Sequence, residues 1–73
     1  MQKAGRDQDI ARDINWELRR DSRFESVRAF CVEGVVTLEG RVDTKDAESD
    51  AVQVAIGQAR GSHVISKVEI RPR

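Results

Sequence analysis

Residues 34–42 read GVVTLEGRV, and the alternation of apolar and polar side chains along this stretch predicts a β-strand. The residues before it alternate in the same way, and Glu33-Gly34 lies between the two strands as a two-residue turn. This turn predicts a hairpin register in which each cross-strand pair falls on one face: Val32 with Val35, Cys31 with Val36, and Ala29 with Leu38. The face predicted to be buried consists of Val27, Ala29, Cys31, Val36 and Leu38.

Two segments with helical periodicity flank the hairpin. The first covers residues 8–20, and its apolar residues recur every four positions: Ile10, Ile14 and Leu18. The second begins after Asp43 or Thr44, either of which can cap it, and ends at Gly61. Its apolar stripe contains small residues that allow close approach to a sheet: Ala47, Ala51, Val54 and Ala55. Val52 and Ile56 lie beside this stripe, where they either widen the core contact or remain partly exposed.

The last segment, residues 64–70, alternates again and predicts a third strand. The predicted fold class is therefore α+β, with the order α-β-β-α-β and two helices packed on one face of a small three-stranded mixed sheet. Since two helices cover only one face of such a sheet, the other face is expected to be solvated or used for binding. We expect a flexible leader at residues 1–6, a single domain at residues 7–71 and a tail at residues 72–73.

The composition argues against several classes of function. The 73 residues contain 13 Lys and Arg against 13 Asp and Glu, and a net charge of zero is not typical of a nucleic-acid-binding protein. The element order also occurs in small nucleic-acid-binding domains of the KH type, but the sequence has no Gly-x-x-Gly loop. No run approaches the ~18 apolar residues of a membrane span, and the first residues do not read as a signal peptide.

The sequence also lacks the residue sets that catalysis or metal binding require. One Cys and one His cannot form a closed zinc site, and no nucleophile–base pair is recognisable, so we expect no enzyme activity, no metal and no cofactor. Cys31 is expected to be a buried structural thiol, and His63 a turn residue. Acids cluster at the start of the second helix, where solvated first-turn carboxylates are the simpler interpretation than a cation site: Asp43, Asp46, Glu48 and Asp50.

Trp16 is the most informative side chain outside the predicted core. It lies about 200° around the helix from Ile14, on the side opposite the apolar stripe. Arginines surround it on this side: Arg12, Arg19 and Arg20, with Arg23 as well if the helix continues. Because Trp favours the membrane interface and Arg pairs with phosphate, these residues form a candidate site for anionic phospholipid. The alternatives are a surface Trp packed beneath its own Arg stems, or a contact with a neighbouring domain.

The open face of the sheet is the second candidate site. Its apolar residues are Phe30, Val32, Val35 and Ile65. An exposed apolar patch of this kind is typical of a surface that binds a protein partner or a neighbouring domain. The alternatives are that loops or the leader cover these residues, or that they are dispersed.

Taken together, these segments resemble the BON domain, a family named for bacterial osmotic-stress and nodulation proteins. The family's hairpin pattern Gly-x-Val-x-Leu-x-Gly-x-Val is matched in full by residues 34–42. Further matches lie in the two helices: Asp9, Ile10, Ile14, Leu18, Ala51, Ala55 and Gly61. The resemblance covers about residues 7–71, nearly the whole chain.

The resemblance implies a binding module without shared catalytic residues. Family members often occur in pairs or beside other domains in envelope proteins, so the implied compartment is the periplasm or the cell envelope. Attachment to phospholipid or a membrane surface is the function that the resemblance favours. The alternative is a protein-interaction or structural module that docks through the open sheet face.

Overall fold

The computed structural model describes the backbone of residues 2–72 and the side chains from Asp7 to Pro72. Its elements are α1 (Gln2–Arg19), a 3-10 turn (Ser22–Phe24), β1 (Arg28–Val32), β2 (Val35–Val42), α2 (Lys45–Gln58) and β3 (His63–Ile70). The sheet has the strand order β1-β2-β3, with β1 antiparallel and β3 parallel to β2. The predicted α+β fold with two helices and a three-stranded mixed sheet is therefore confirmed.

The hairpin forms in the predicted register. The strand partners include all three predicted pairs: Val32 with Val35, Cys31 with Val36, and Ala29 with Leu38. The face predicted to be buried is buried except at Cys31, which is half-buried. Val42 and Val68 extend this buried face along β2 and β3.

An acidic side chain from α1 closes the hairpin turn. Glu33 and Gly34 both have positive φ, 50° and 78°, as the central residues of a type I′ turn do. The carboxylate of Asp7 accepts hydrogen bonds from the N–H groups of Glu33 at 2.8 Å and Gly34 at 3.4 Å. The Cys31 Sγ lies 3.5 Å from the same carboxylate. Asp7 therefore fixes the hairpin turn against α1.

The helices pack their apolar stripes on the buried face of the sheet. The buried residues of α1 are Ile10, Ile14 and Leu18, and those of α2 include Ala47, Ala51 and Ala55. Thr44 caps α2, since its Oγ1 accepts the N–H of Ala47 at 3.1 Å. Phe24 in the 3-10 turn is also buried, although no sequence pattern predicted it.

A second side chain of α1 closes the free edge of β1. The Asn15 Nδ2 donates a hydrogen bond to the Ala29 carbonyl at 3.1 Å, and the Asn15 Oδ1 accepts one from the Ala29 N–H at 2.8 Å. One amide thus binds both outward-facing backbone groups of Ala29, as a neighbouring strand would.

Several element boundaries differ from the prediction. The helix α1 begins at Gln2, so it includes residues 2–6 of the segment expected to be a flexible leader, whose mobility stays a prediction. Met1 and Arg73, at the ends of the predicted leader and tail, lie outside the described residues. The assignment of His63 to a turn is wrong, because it pairs with Val35 as the first residue of β3. The helix α2 ends at Gln58, before Gly61.

Candidate functional site

Trp16 lies on the outer face of α1, as the helical spacing predicts. Its side chain is 64% exposed, whereas Ile14, on the opposite side of the helix, is fully buried. Among residues 7–72, the cation–π contact is not at Trp16 but between Arg23 and Phe24, where the guanidinium carbon lies 4.9 Å from the ring centroid. An aromatic ring with both an apolar body and an N–H donor is therefore available at the surface of α1.

The arginines near Trp16 are exposed, but acidic side chains accompany two of them. A guanidinium nitrogen of Arg12 lies 3.3 Å from a carboxylate oxygen of Asp9, and one of Arg20 lies 3.7 Å from Glu17. Exposed pairs of this kind contribute little to stability and can exchange for another anion. Arg19 is exposed and has no ion pair with any residue whose side chain the structure describes. The face carries guanidinium groups, but its acids offset their charge.

Arg23 does not belong to the Trp16 cluster. The helix α1 ends at Arg19, and the Arg23 guanidinium lies 2.7 Å from Asp21 and 2.8 Å from Asp50. Hydrogen bonds from Arg23 lower the pKa of Asp21. The pKa of Arg23 is raised, mainly by its hydrogen bonds to Asp21 and to a lesser extent by the one to Asp50. Arg23 was expected on the Trp16 face only if the helix continued, and this condition is not met, because α1 ends at Arg19 and Asp50 on α2 binds the Arg23 side chain.

The open sheet face brings the four predicted partner residues together at the end nearest the hairpin turn. Val32 and Val35 are direct cross-strand partners, and Thr37 pairs with Phe30 on one side and Ile65 on the other. Phe30 is 48% exposed, Val32 68% and Ile65 46%. We call these four residues, Phe30, Val32, Val35 and Ile65, the apolar patch. Because they occupy two adjacent rows of the sheet, they are contiguous and not dispersed.

The other half of the open face is charged. Arg28, Glu39 and Lys67 form one row across the three strands, and Arg41 pairs with Glu69 in the next. Neighbours in each row have opposite charges, which is a favourable cross-strand arrangement. The open face is therefore amphipathic along the strands.

Two of the acidic side chains in the cluster of α2 bind neighbouring residues. Among the described residues, no group of three or more His, Cys, Asp and Glu side chains is placed to hold a metal ion. In the acidic cluster of α2, Glu48 accepts a hydrogen bond from the Ser66 hydroxyl at 3.1 Å, and Asp50 binds Arg23. Neither helix, over the part of the chain that is described, has the length and apolar character to cross a bilayer.

The chain was compared with models of protein families and with curated proteins. A family model described as BON domain matches residues 6–72. The match therefore includes most of α1 and all of the other helices and strands. No match was found among the curated proteins.

Proposed function

Since this chain belongs to the BON domain family, we propose that it is a non-catalytic binding module that attaches to a phospholipid surface through the outer face of α1. The family supports a membrane-associated or interaction module in general terms, and its members occur in periplasmic or envelope proteins. We extend this to the periplasm or cell envelope as the compartment of this chain, and to a role in osmotic stress. The observation that carries the lipid proposal is the 64% exposure of Trp16 opposite the buried stripe.

The chemistry of this face suits the boundary between headgroups and acyl chains. The indole of Trp16 buries its apolar body at that depth while its N–H donates to a headgroup oxygen. Arg12, Arg19 and Arg20 are three or four residues from it and donate hydrogen bonds to lipid phosphate. Because acids accompany Arg12 and Arg20, we expect insertion of Trp16 to contribute more affinity than long-range charge attraction.

Trp16→Ala is expected to weaken vesicle binding about ten- to a hundredfold, since burying a large apolar side chain contributes roughly 1.5–3 kcal/mol. The measurement is co-sedimentation with vesicles of phosphatidylglycerol and phosphatidylcholine over a range of lipid concentrations. Arg19→Ala is expected to cause a smaller loss, because it removes one of three guanidinium groups. Phe30→Ser, on the open sheet face, is the matched control and is expected to bind like the unmodified chain. Equal binding by Trp16→Ala, or no binding by the unmodified chain, would contradict the proposal.

A second function, docking of a protein partner on the open sheet face, is supported by the contiguity of the apolar patch. Exposed apolar surface of this kind adds affinity when a partner covers it, and the neighbouring rows of alternating charge orient that partner. The two proposed binding activities use different surfaces, so a substitution on one surface can abolish one activity and leave the other intact.

Phe30→Ser is expected to change the free energy of unfolding by less than about 1 kcal/mol, because the ring is half-exposed and lies outside the core. The same change is expected to abolish covalent capture of a partner by a benzophenone side chain placed at Val32, in bacterial cells that express the chain. Trp16→Ala is the control and keeps the capture. A crosslinked product of unchanged yield in Phe30→Ser, or none in the unmodified chain, is the result that speaks against this function.

A further inference from the structure

The two edges of the sheet differ in what covers them. On β1, the outward-facing backbone groups of Ala29 are bound by the Asn15 amide. The other edge is β3, and no element within the described residues lies beyond it. We propose that β3 pairs with β3 of a second copy of this chain, antiparallel and with Ser66 on the two-fold axis. This inference does not depend on lipid binding or on the apolar patch.

The outward-facing backbone groups of β3 are available for such pairing. The N–H groups of His63 and Arg71 donate to the carbonyls of Gly34 and Val42, at 3.2 Å and 2.7 Å. Since the hydrogen-bonding direction alternates along a strand, the even-numbered residues direct their N–H and C=O groups away from β2. Consistent with this, the Val68 N–H reaches only the hydroxyl of Ser66 in its own strand, at 3.5 Å. An edge of this kind accepts another strand.

Charge favours a second copy in one particular register. In an antiparallel pairing of two β3 strands, the even-numbered residues have to form the hydrogen-bonded pairs. Two registers meet this condition and also use nearly the whole length of β3. Centred on Lys67, the pairing brings two Lys67 side chains opposite each other, which is unfavourable. Centred on Ser66, it places Lys67 opposite Ile65 of the second copy and Glu69 opposite His63 of the second copy. No like charges then face each other, and the aliphatic part of Lys67 covers Ile65.

Apolar side chains flank this edge on both faces of the sheet. Glu48, Val52 and Ile56 share one side of α2 because they are four residues apart. Glu48 accepts the hydrogen bond from Ser66, so this side of α2 lies toward β3. Ile56 is 52% exposed and Val52 is half-buried, while Ile65 is exposed on the opposite face of the sheet. Pairing of two β3 strands brings these residues against their counterparts in the second copy.

The pairing produces a continuous six-stranded sheet whose central strands are the two β3 strands. Sedimentation velocity of the whole chain between about 10 μM and 1 mM is expected to show a weight-average mass that rises from one chain toward two. Ser66→Pro is expected to weaken this association at least about tenfold, because it removes an outward N–H and places a ring on the edge. The bonds between β3 and β2 do not use the Ser66 N–H, and circular dichroism checks that the fold is kept.

Matched variants separate this interface from the other surfaces. Ser66→Ala keeps the backbone donor and is expected to associate like the unmodified chain, as is Trp16→Ala. A chain that stays monomeric at 1 mM overturns the proposal, as does unchanged association of folded Ser66→Pro. Loss of association in Phe30→Ser with retention in Ser66→Pro assigns self-association to the apolar patch and also overturns it.

A disulfide test checks the register and does not depend on how Ser66→Pro folds. In a Cys31→Ala background, Ser66→Cys places two thiols directly opposite, with Cα atoms about 5.5 Å apart, within the range that a disulfide spans. Lys67→Cys is the control, because its two copies are offset along the strands and lie more than about 7 Å apart. Rapid formation of a dimeric disulfide by Ser66→Cys, and not by Lys67→Cys, is the expected result. Equal or reversed yields contradict the register.

Discussion

Gly40→Ala is expected to destabilise the protein by about 3–5 kcal/mol, because β2 and the segment before β1 are in contact at this glycine. Gly40 has a φ of +130°, which L side chains rarely adopt. An added methyl would overlap the carbonyl oxygen of Ser26 and lie 2.8 Å from the Cα of Val27. These are backbone atoms, so no side-chain rotation relieves the overlap, and one of the two segments has to move.

Chemical denaturation followed by circular dichroism measures this loss. A domain of this size has a total stability near the lower end of the usual range, about 5 kcal/mol, so we expect Gly40→Ala to retain no more than about 2 kcal/mol and to be up to about half unfolded at 25 °C. Gly57→Ala is the matched control, since Gly57 lies in α2 with open space around it. That change is expected to stabilise the chain by about 0.5–1 kcal/mol through helix propensity. A cost below about 1 kcal/mol for Gly40→Ala would contradict the contact at Ser26.

Asn15→Leu is expected to cost about 2–3 kcal/mol, because it leaves the N–H and the carbonyl of Ala29 without their partners in a half-buried position. Leucine has the same branched shape and number of heavy atoms as asparagine, so the change leaves no cavity and the loss reports on hydrogen bonding. We expect two results together: a lower denaturation midpoint, and faster hydrogen exchange at the Ala29 amide than at its neighbours in β1.

Gln53→Leu is the matched control for Asn15→Leu. Gln53 is exposed on α2, and the change is expected to alter the free energy of unfolding by less than about 0.5 kcal/mol. If the two variants are equally stable, or if exchange at Ala29 is unchanged, the Asn15 amide does not close the edge of β1 in solution.

The sequence predicts those parts of this fold that follow from the periodic spacing of apolar residues. The hairpin register follows from residues 27–42 alone, since an alternation that matches on both sides of Glu33-Gly34 allows one pairing. The four-residue spacing of Ile10, Ile14 and Leu18 predicts the core face of α1 for the same reason. A periodic pattern of apolar residues involves only residues near one another in the chain, so a single sequence is enough to detect it.

The single polar contacts between distant elements are not predictable in this way. Asp7 and Asn15 look like ordinary polar positions on a helix, and only the docking of α1 against β1 brings them to backbone groups of the hairpin. Phe24 offered a signal, because it is the one aromatic residue in the mostly polar stretch between α1 and β1. The ion pair between Arg23 and Asp50 depends on where α1 ends, which the pattern did not show.

The same distinction between local pattern and contacts of distant elements applies to the candidate sites. The exposure of Trp16 follows from 100° per residue, and the acids that accompany Arg12 and Arg20 lie at helical spacing. The contiguity of the apolar patch needed the strand order as well, because Ile65 joins Phe30 only when β3 lies beside β2.

The bond between Asn15 and Ala29 also limits how far the sheet can grow. A sheet with two open edges allows copies to add head to tail without closing, which leads to fibres. Here Asn15 binds the outward backbone groups of Ala29 on the β1 edge, so strand pairing is favoured at β3, and pairing with a second copy uses the open edge of both chains. The result is a closed two-fold particle, and Asn15→Leu, by reopening the β1 edge, is the change that would permit polymerisation.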